Sequence, residues 1–288
     1  MQTFITQAVI KQALIPQAIT LRTFLTFVLL SGFSAPLWAA NPDNCQNSQP
    51  DLWVDASYAL DGSTLLIQNQ RVQLIGVYAP QKGKTYKFNS PSEPMAEAAQ
   101  TYLNRLLANN DLKIGIVYDQ SQTNANRVQQ VHAFLQDGRN LNALMLSSGL
   151  ALNRTQNANL LYAECYYAAE QQARQQGRGL WDLAATQPEL HFPLIQSHEI
   201  TAEDQGFRIV RGKIVEVLKS DTYYLLNMDT TGIRIPKRAW SAFDFAQLQT
   251  LLGQEVEVRA YAYLFKGHIY MLVEHPYAFD RFQPQSGS

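Results

Sequence analysis

The stretch Tyr58 to Gln81, YALDGSTLLIQNQRVQLIGVYAPQ, constrains the fold of this 288-residue chain more than any other. Two runs rich in β-branched and aliphatic residues, Thr64 to Gln68 and Val72 to Tyr78, flank the polar Asn69-Gln70-Arg71. Such residues suit a pleated, half-buried surface, and a polar break between two of these runs reverses the chain. The spacing therefore predicts a β-hairpin. Asp61-Gly62, just before it, marks a second tight turn.

The segments after the hairpin alternate in type. Gln81 to Ser92 reads as a basic-aromatic loop carrying Lys82, Lys84, Tyr86, Lys87 and Phe88. Pro94 opens a helix with Met95, Ala98, Ala99, Tyr102, Leu103, Leu106 and Leu107 at helical spacing, closed by Asn109-Asn110. Lys113 to Tyr118 and Val131 to Leu135 read as strands, the second ending in the Asp137-Gly138 turn. Leu141 to Leu152 is a short helix, and Ala158 to Gln176 a longer one that buries Leu161, Cys165, Ala168 and Ala169. That helix stops at Gly177-Arg178-Gly179-Leu180-Trp181. These elements make up a first module over residues 52–185.

The first forty residues stand apart. Lys11 and Arg22 are their only charges, an apolar run Phe24 to Leu30 follows, and Ala39-Ala40 precedes polar Asn41-Pro42-Asp43. A basic lead, an apolar centre and small residues at the end describe a secretory signal peptide over residues 1–40, cleaved near Ala39 or Ala40. The other reading is a retained anchor, although the apolar run falls short of the roughly 20 residues that span a bilayer. Without Lys11 and Arg22 the formal charge moves from −1 to −3. Proteins that grip nucleic acid by neutralising phosphates are usually basic, so tight non-specific binding is not expected.

Cys45 and Cys165 are the only cysteines, and both fall in the exported part. An oxidising compartment permits a disulfide between them; otherwise Cys165 is a small apolar residue on its helix. Two cysteines and five scattered histidines do not make a zinc site.

A polar stretch with Pro188 and Pro193, residues 186–205, reads as a linker to a second module over residues 206–282. Phe207 to Leu218, Tyr223 to Asn227, Gly232 to Pro236, Val256 to Leu264 and Ile269 to Val273 read as its strands. Trp240, Phe243, Leu248 and Leu251 suggest a helix over Trp240 to Leu252. Strands, a helix and a closing hairpin predict a small barrel of OB type.

The order Asp61-Gly62-Ser63-Thr64, strand, turn, then Val72-Gln73-Leu74-Ile75-Gly76-Val77-Tyr78-Ala79-Pro80 resembles the opening of the staphylococcal nuclease (thermonuclease) family, written DGDT … VRLIGIDAPE. Two later fragments, DGRNLNALMLSSGLA at 137–151 and AAEQQARQQGRGLW at 168–181, stand in the family's order and spacing. The resemblance implies an α+β fold: a five-stranded OB-type barrel with packed helices, followed here by the second module. That module is similar, in GFRIVRGKIVEV and GQEVEVRAYAYLFKGHIYMLVEHP, to the trailing module of some exported bacterial thermonuclease-family proteins.

The chemistry implied by the resemblance needs calcium held by carboxylates, a Glu beside the attacking water, and two Arg against the charge growing on phosphate. Asp61 matches the first Asp of the turn. Ser63 and Tyr78 stand where metal-binding Asp residues belong, Gln73 where an Arg belongs, and Gln81 where the Glu belongs. The second Arg position falls on Gln129 or Gln130. Arg127 is close, but a one-residue slip turns a strand side chain to the opposite face, so it does not fill the gap. The expected protein is a pseudo-nuclease with no retained calcium site and no other cofactor.

Three patches could bind. Lys82, Lys84, Tyr86 and Lys87 form either a phosphate-contacting loop or a solvated one. Arg234, Lys237, Arg238 and Trp240 would suit nucleic acid or an anionic envelope polymer, or they are a core Trp with surface charges. The helix tyrosines Tyr162, Tyr166 and Tyr167 are a partner surface or, more simply, packing. The leading expectation is a non-catalytic binding or scaffolding protein of the cell envelope with an unidentified partner and weak nucleic-acid binding. The alternatives are a hydrolase with a rearranged site and an assembly role without a ligand.

Overall fold

In the computed structural model, which describes residues 45–83, 90–156 and 158–280, the opening stretch turns earlier than its polar letters predict. Strand β1 (Leu52–Ala59) is followed by β2 (Thr64–Ile67) and β3 (Gln70–Leu74). The turn is Gln68-Asn69, both at positive φ (49° and 62°). Two-residue turns of this backbone match the twist of the strands they join, so Gln70 and Arg71 enter the strand and Ile67 faces Gln70. Gly76, at φ 74°, then ends the run and leaves β4 (Val77–Tyr78) as a separate short strand. The leader, its cleavage point, and Lys84, Tyr86 and Lys87 lie outside the described residues.

After helix α1 (Ala96–Ala108) come β5 (Lys113–Val117) and β6 (Gln129–Phe134), and the five long strands close into a barrel in the order β1-β2-β3-β6-β5. Closure depends on β1. Leu52 to Asp55 pair with β5, Ala56 to Ala59 pair with β2, and a register shift between Ala56 and Tyr58 bends the strand from one partner to the other. Strands β3 and β6 run parallel, and the remaining pairs are antiparallel. This is the predicted OB-type barrel. Leu65, Val72, Leu74, Ile114, Val131 and Ala133 fill it, and Leu103 and Leu107 of α1 cap that core. Gly62 lets α1 come close: a Cβ there would lie 2.6 Å from the Cβ of Ala99 and 2.7 Å from that of Ala79.

Helix α2 (Leu141–Ser147), strand β7 (Leu152–Asn153), α3 (Ala163–Gln175) and α4 (Leu180–Thr186) complete the first module. Asn140 caps α2 by accepting from the Ala143 N–H at 3.0 Å. Helix α3 starts later than its periodicity predicts. Leu161, expected to be buried on it, is exposed, and its N–H instead goes to Asp119 at 3.1 Å. Cys165 is buried on α3 and joined to Cys45 by the predicted disulfide, with Cα atoms 5.5 Å apart.

The stretch 186–205 is more than a connector. Its Leu194–Gln196 forms β8, parallel to β9 (Gly206–Lys213), and Phe192 and Ile195 are buried. Apolar positions too few and too short to read as a strand gain their burial from the neighbouring sheet. Next come β10 (Glu216–Lys219), β11 (Tyr223–Asn227), β12 (Thr231–Pro236), α5 (Phe245–Gln249), β13 (Glu255–Phe265) and β14 (His268–Leu272). Instead of one helix over Trp240 to Leu252 there is a 3-10 segment, Lys237–Ala242, and then α5. Asp244 starts α5 by accepting from the Ala246 N–H at 2.9 Å.

The second module is a seven-stranded sheet in the order β10-β11-β12-β14-β13-β9-β8. Strands β9 and β10 are separated only by Ile214-Val215, so one interrupted strand pairs with β13 by its first half and with β11 by its second. The pairing of β12 with β14 is parallel, as β3 with β6 is in the barrel. The two modules thus share one connection pattern, the OB pattern, with β8 added at an edge.

The modules pack on each other. Tyr78, Leu152, Leu180 and Trp181 of the first join Phe192, Phe207 and Ile209 in one apolar cluster. Beside it lies a buried ionic network. Arg259 is 3% exposed and pairs with Glu170 of α3 and with Asp280. Arg174 reaches Glu257 at 2.6 Å and Asp280 at 3.2 Å, and Arg211 also pairs with Glu257. Three cations balance three carboxylates. Burial tends to raise the Glu257 carboxyl, but Arg174 and Arg211 outweigh it and lower the value to about 2.

Candidate functional site

The Asp61-Gly62 turn is built as predicted, and its carboxylate is occupied. Asp61 Oδ1 accepts from the Ser63 backbone N–H at 2.7 Å and from Ser63 Oγ at 2.9 Å. Ser63 itself is buried. Gln73 sits on the outer side of β3, between core-facing Val72 and Leu74, and its Oε1 accepts from Asn124 Nδ2 at 3.0 Å. In the parallel pair, Val72 lies opposite Gln129 and Gln73 opposite Gln130. Gln129 donates to the Tyr118 hydroxyl at 3.2 Å. Gln130 is buried, donating to Gln156 at 3.4 Å and accepting from Asn159 at 3.3 Å. The fold thus gathers Asp61, Ser63 and Gln73 at one end of the β2–β3 pair, where Thr64 faces Gln73, with every side chain engaged in amide or hydroxyl contacts.

Tyr78 belongs to the junction between modules. It is buried, and its ring stacks on Phe207 at 4.5 Å and meets Tyr261 edge-on at 6.0 Å. Its hydroxyl donates to Glu93 at 2.6 Å. Burial, and then the charge of Glu93, push that hydroxyl far above the ordinary tyrosine value, so it stays a donor. Glu93 also accepts from the Gln81 N–H at 2.8 Å and pairs with Arg208 at 3.1 Å. Gln81 turns its side chain back to the Ala79 carbonyl at 2.8 Å. Glu93 is the residue that sequence reasoning missed. Its partners are 12, 15 and 115 positions away, so no local pattern could single it out.

The proposed basic patches separate. Lys82 is exposed. Arg234 lies over the Tyr270 ring at 4.6 Å and donates to Asn227 at 2.9 Å, on the outer face of β12. Lys237 lies over Trp240 at 5.7 Å, and Arg238 pairs with Glu274. Trp240 stacks on Tyr224 at 4.2 Å against the inner core. The patch is therefore three separate contacts around a packed Trp. Tyr162 and Tyr166 pack on the barrel core. Tyr166 bonds His132 at 2.6 Å, and His132 bonds Asp119 at 3.1 Å on its other nitrogen. Burial holds His132 below its ordinary value despite Asp119. Tyr167 stacks on Tyr277 of the second module at 5.3 Å.

A groove of about 570 Å³ opens beside Gln129, lined by Arg71 and Arg127 with Gln70, Gln122 and Thr123. A second cleft, about 340 Å³, follows the junction between Arg154 and Tyr261, where the Arg154 guanidinium lies 5.0 Å from the ring centre.

A closed five-stranded barrel with these connections and packed helices defines an OB-type domain. Residues 71–183 match the family described as staphylococcal nuclease homologue, so the chain carries a domain of that family. The match begins at Arg71, leaving β1, β2 and the Asp61–Ser63 turn outside it. No curated protein matches the chain.

Proposed function

We propose that this protein is a nuclease-family binding protein that does not cleave phosphodiesters, and that it acts in the cell envelope. The observation that carries this reading is Tyr78. Where calcium chemistry requires a carboxylate stands a buried ring, stacked on the second module, whose hydroxyl is spent on Glu93. The rest of the donor set agrees. Calcium takes six to eight oxygens, mostly carboxylate. Asp61 uses Oδ1 on Ser63, while Glu93 is held by Tyr78, Gln81 and Arg208. Among the described residues no group of three or more His, Cys, Asp or Glu could hold a metal. The residues present do not fit the ion. The leader's composition and the Cys45–Cys165 bridge support an oxidising, exported setting. Among the described residues no helix is long and apolar enough to cross a membrane.

The test is cleavage of DNA and RNA by the purified protein with calcium added. No turnover above the buffer rate is expected. Calcium-dependent cleavage that co-purifies with the protein and is lost in Asp61→Ala refutes the reading.

A further inference from the structure

We propose, resting on the envelope reading above, that the outer face of the second module's sheet and the junction cleft at its end bind a strand of cell-wall glycan. Tyr261, Tyr263 and Phe265 are alternate residues of β13, so all three leave the sheet on one side. They are 45, 40 and 54% exposed. Tyr263 faces Tyr270 of β14 across the ladder, with ring centres 6.1 Å apart, and Phe265 meets the same ring at 6.2 Å. The ends of this row are about 13 Å apart along the strand. Its rings are held in place. Tyr270 occupies the space that a side chain at Gly232 would fill, where a Cβ would lie 2.7 Å from the ring. The Arg234 guanidinium lies 4.6 Å from the centre of that ring and donates to Asn227 at 2.9 Å, and Asn227 donates to Glu216 at 2.6 Å. Fixed rings thus stand beside a guanidinium, a carboxamide and a carboxylate. Burial, and then Tyr223, push the Tyr263 hydroxyl above its ordinary value, so it remains a donor.

At its Tyr261 end the row enters the junction cleft, where Tyr261, Tyr263 and Leu272 meet Arg154, Thr155 and Gln156. Arg154 has no ion-pair partner among the described residues. Arg259, the other cation of the cleft, spends its terminal nitrogens on Glu170 and Asp280, and Glu274 is spent on Arg238. The cleft therefore offers one unpaired cation. This chemistry selects the occupant. The faces of a pyranose carry C–H groups, which suit the electron-rich faces of aromatic rings. Planar amides and a guanidinium suit its hydroxyls. A nucleic acid needs cations to match its phosphates, and on this face Arg234 is balanced by Glu216 through Asn227, leaving Arg154 alone. A neutral glycan has no use for Arg154. Wall glycan joins N-acetylated sugars, alternate ones of which carry a lactyl carboxylate. It presents ring faces to the tyrosines, acetamido groups to Asn227, Thr155 and Gln156, and a sparse negative charge to Arg154.

The purified protein is titrated by calorimetry with soluble glycan chains freed of their stem peptides from peptidoglycan, with an N-acetylglucosamine oligomer, and with a short oligothymidylate. Saturable binding of the wall glycan is expected, with weaker binding of the uncharged oligomer and none of the oligothymidylate. Tyr263→Ala and Phe265→Ala each weaken wall-glycan binding roughly tenfold. Tyr263→Phe, which keeps the ring, stays within about threefold of the parent. Arg154→Gln weakens the wall glycan roughly tenfold and leaves the uncharged oligomer unchanged. Both ring positions are exposed, so thermal unfolding should be unchanged; if either Ala variant unfolds early, the contrast between Tyr263→Phe and the other Ala variant carries the test. No wall-glycan binding at millimolar concentration, or binding indifferent to both rings, overturns the site. Equal affinity for the two glycans that ignores Arg154→Gln overturns the choice of wall glycan, and tighter binding of oligothymidylate overturns the choice of a sugar. A dimer in sedimentation that Phe265→Ala disperses, without glycan binding, assigns the face to a second copy and overturns the proposal. A face that binds no glycan leaves the non-cleaving reading untouched, and cleavage in the earlier assay leaves the glycan titration untouched.

Discussion

Arg259→Met tests whether the two modules are held by their buried charges. Met keeps part of the arginine stem and removes the cation. Glu170, fully buried, is then left with one contact, the Asn153 N–H at 2.8 Å. Asp280 keeps Arg174 at 3.2 Å. Removing one partner of a buried pair strands the other, at a cost of about 3–5 kcal/mol. In a protein of this size each kcal/mol is worth about 2–4 °C, so the midpoint should fall by about 6–20 °C.

The pH dependence identifies the cause. Burial raises the Glu170 carboxyl above its ordinary 4.5, and Arg259 pulls it back. In the variant that pull is gone, so the folded value rises further while the unfolded value stays. An acid with a raised folded value costs stability as pH rises from the unfolded value through the folded one. The loss should therefore be greatest above neutrality and shrink towards pH 4.5. Thermal unfolding followed by circular dichroism in mildly alkaline and mildly acidic buffer measures both. Adding Glu170→Gln, which keeps an acceptor for Asn153, should recover much of the loss at high pH. A midpoint shift under about 2 °C, or the same shift at both pH values, refutes the reasoning.

Reducing the Cys45–Cys165 bridge, which closes a separation of 120 residues, should destabilise the protein by about 2–4 kcal/mol in denaturant titration; an unchanged midpoint counts against it. Tyr78→Asp should destabilise without conferring calcium binding, since the new charge faces Glu93 inside the junction; calorimetric calcium uptake by that variant contradicts this placement. Burial lowers His275 to about 4, and its Nδ1 accepts from the Tyr277 N–H, so the folded form keeps it neutral. Stability should be lost as pH falls from the ordinary 6.5 towards 4 because the unfolded chain takes the proton first. His275→Asn, which keeps an acceptor, should flatten that limb of the curve.

What could be read from the sequence was what repeats locally. Val72 and Leu74 alternate with Gln73 and do face the core, and Leu103 and Leu107 keep helical spacing. The disulfide followed from having just two cysteines. The hairpin turn was misplaced because Gln68 and Asn69 take positive φ without a glycine to announce it. The expected helix at Trp240 had its buried positions right, Phe243, Leu248 and Leu251, but Asp244 divides the segment by starting a new turn. Glu257 and Arg259 visibly alternate with the core-facing Val256, Val258 and Ala260. Nothing in that alternation says that α3 covers them. Of the candidate site, the uncharged positions were legible one by one; the use of Tyr78 as packing for the second module depends on Phe207, 129 positions away, and was not.

Asp61 is the one matched carboxylate that remains, and the structure gives it a reason unrelated to metal. Ser63 is buried, and its N–H and hydroxyl both depend on Asp61 Oδ1. Gly62 between them admits no side chain against Ala79 and Ala99, so the turn cannot relax by swinging outwards. A residue kept for its acceptor oxygen should be replaceable by any side chain offering that oxygen in the same place. Asp61→Asn should then leave the unfolding midpoint unchanged. Asp61→Ala leaves a buried N–H without a partner, at about 1–3 kcal/mol, or a fall of about 2–12 °C. A charge retained for a cation predicts a different pattern: Asn and Ala equally damaging to calcium uptake. A calcium-dependent rise in the parent's midpoint that is absent from Asp61→Asn would show that the carboxylate is retained for its charge rather than for the turn.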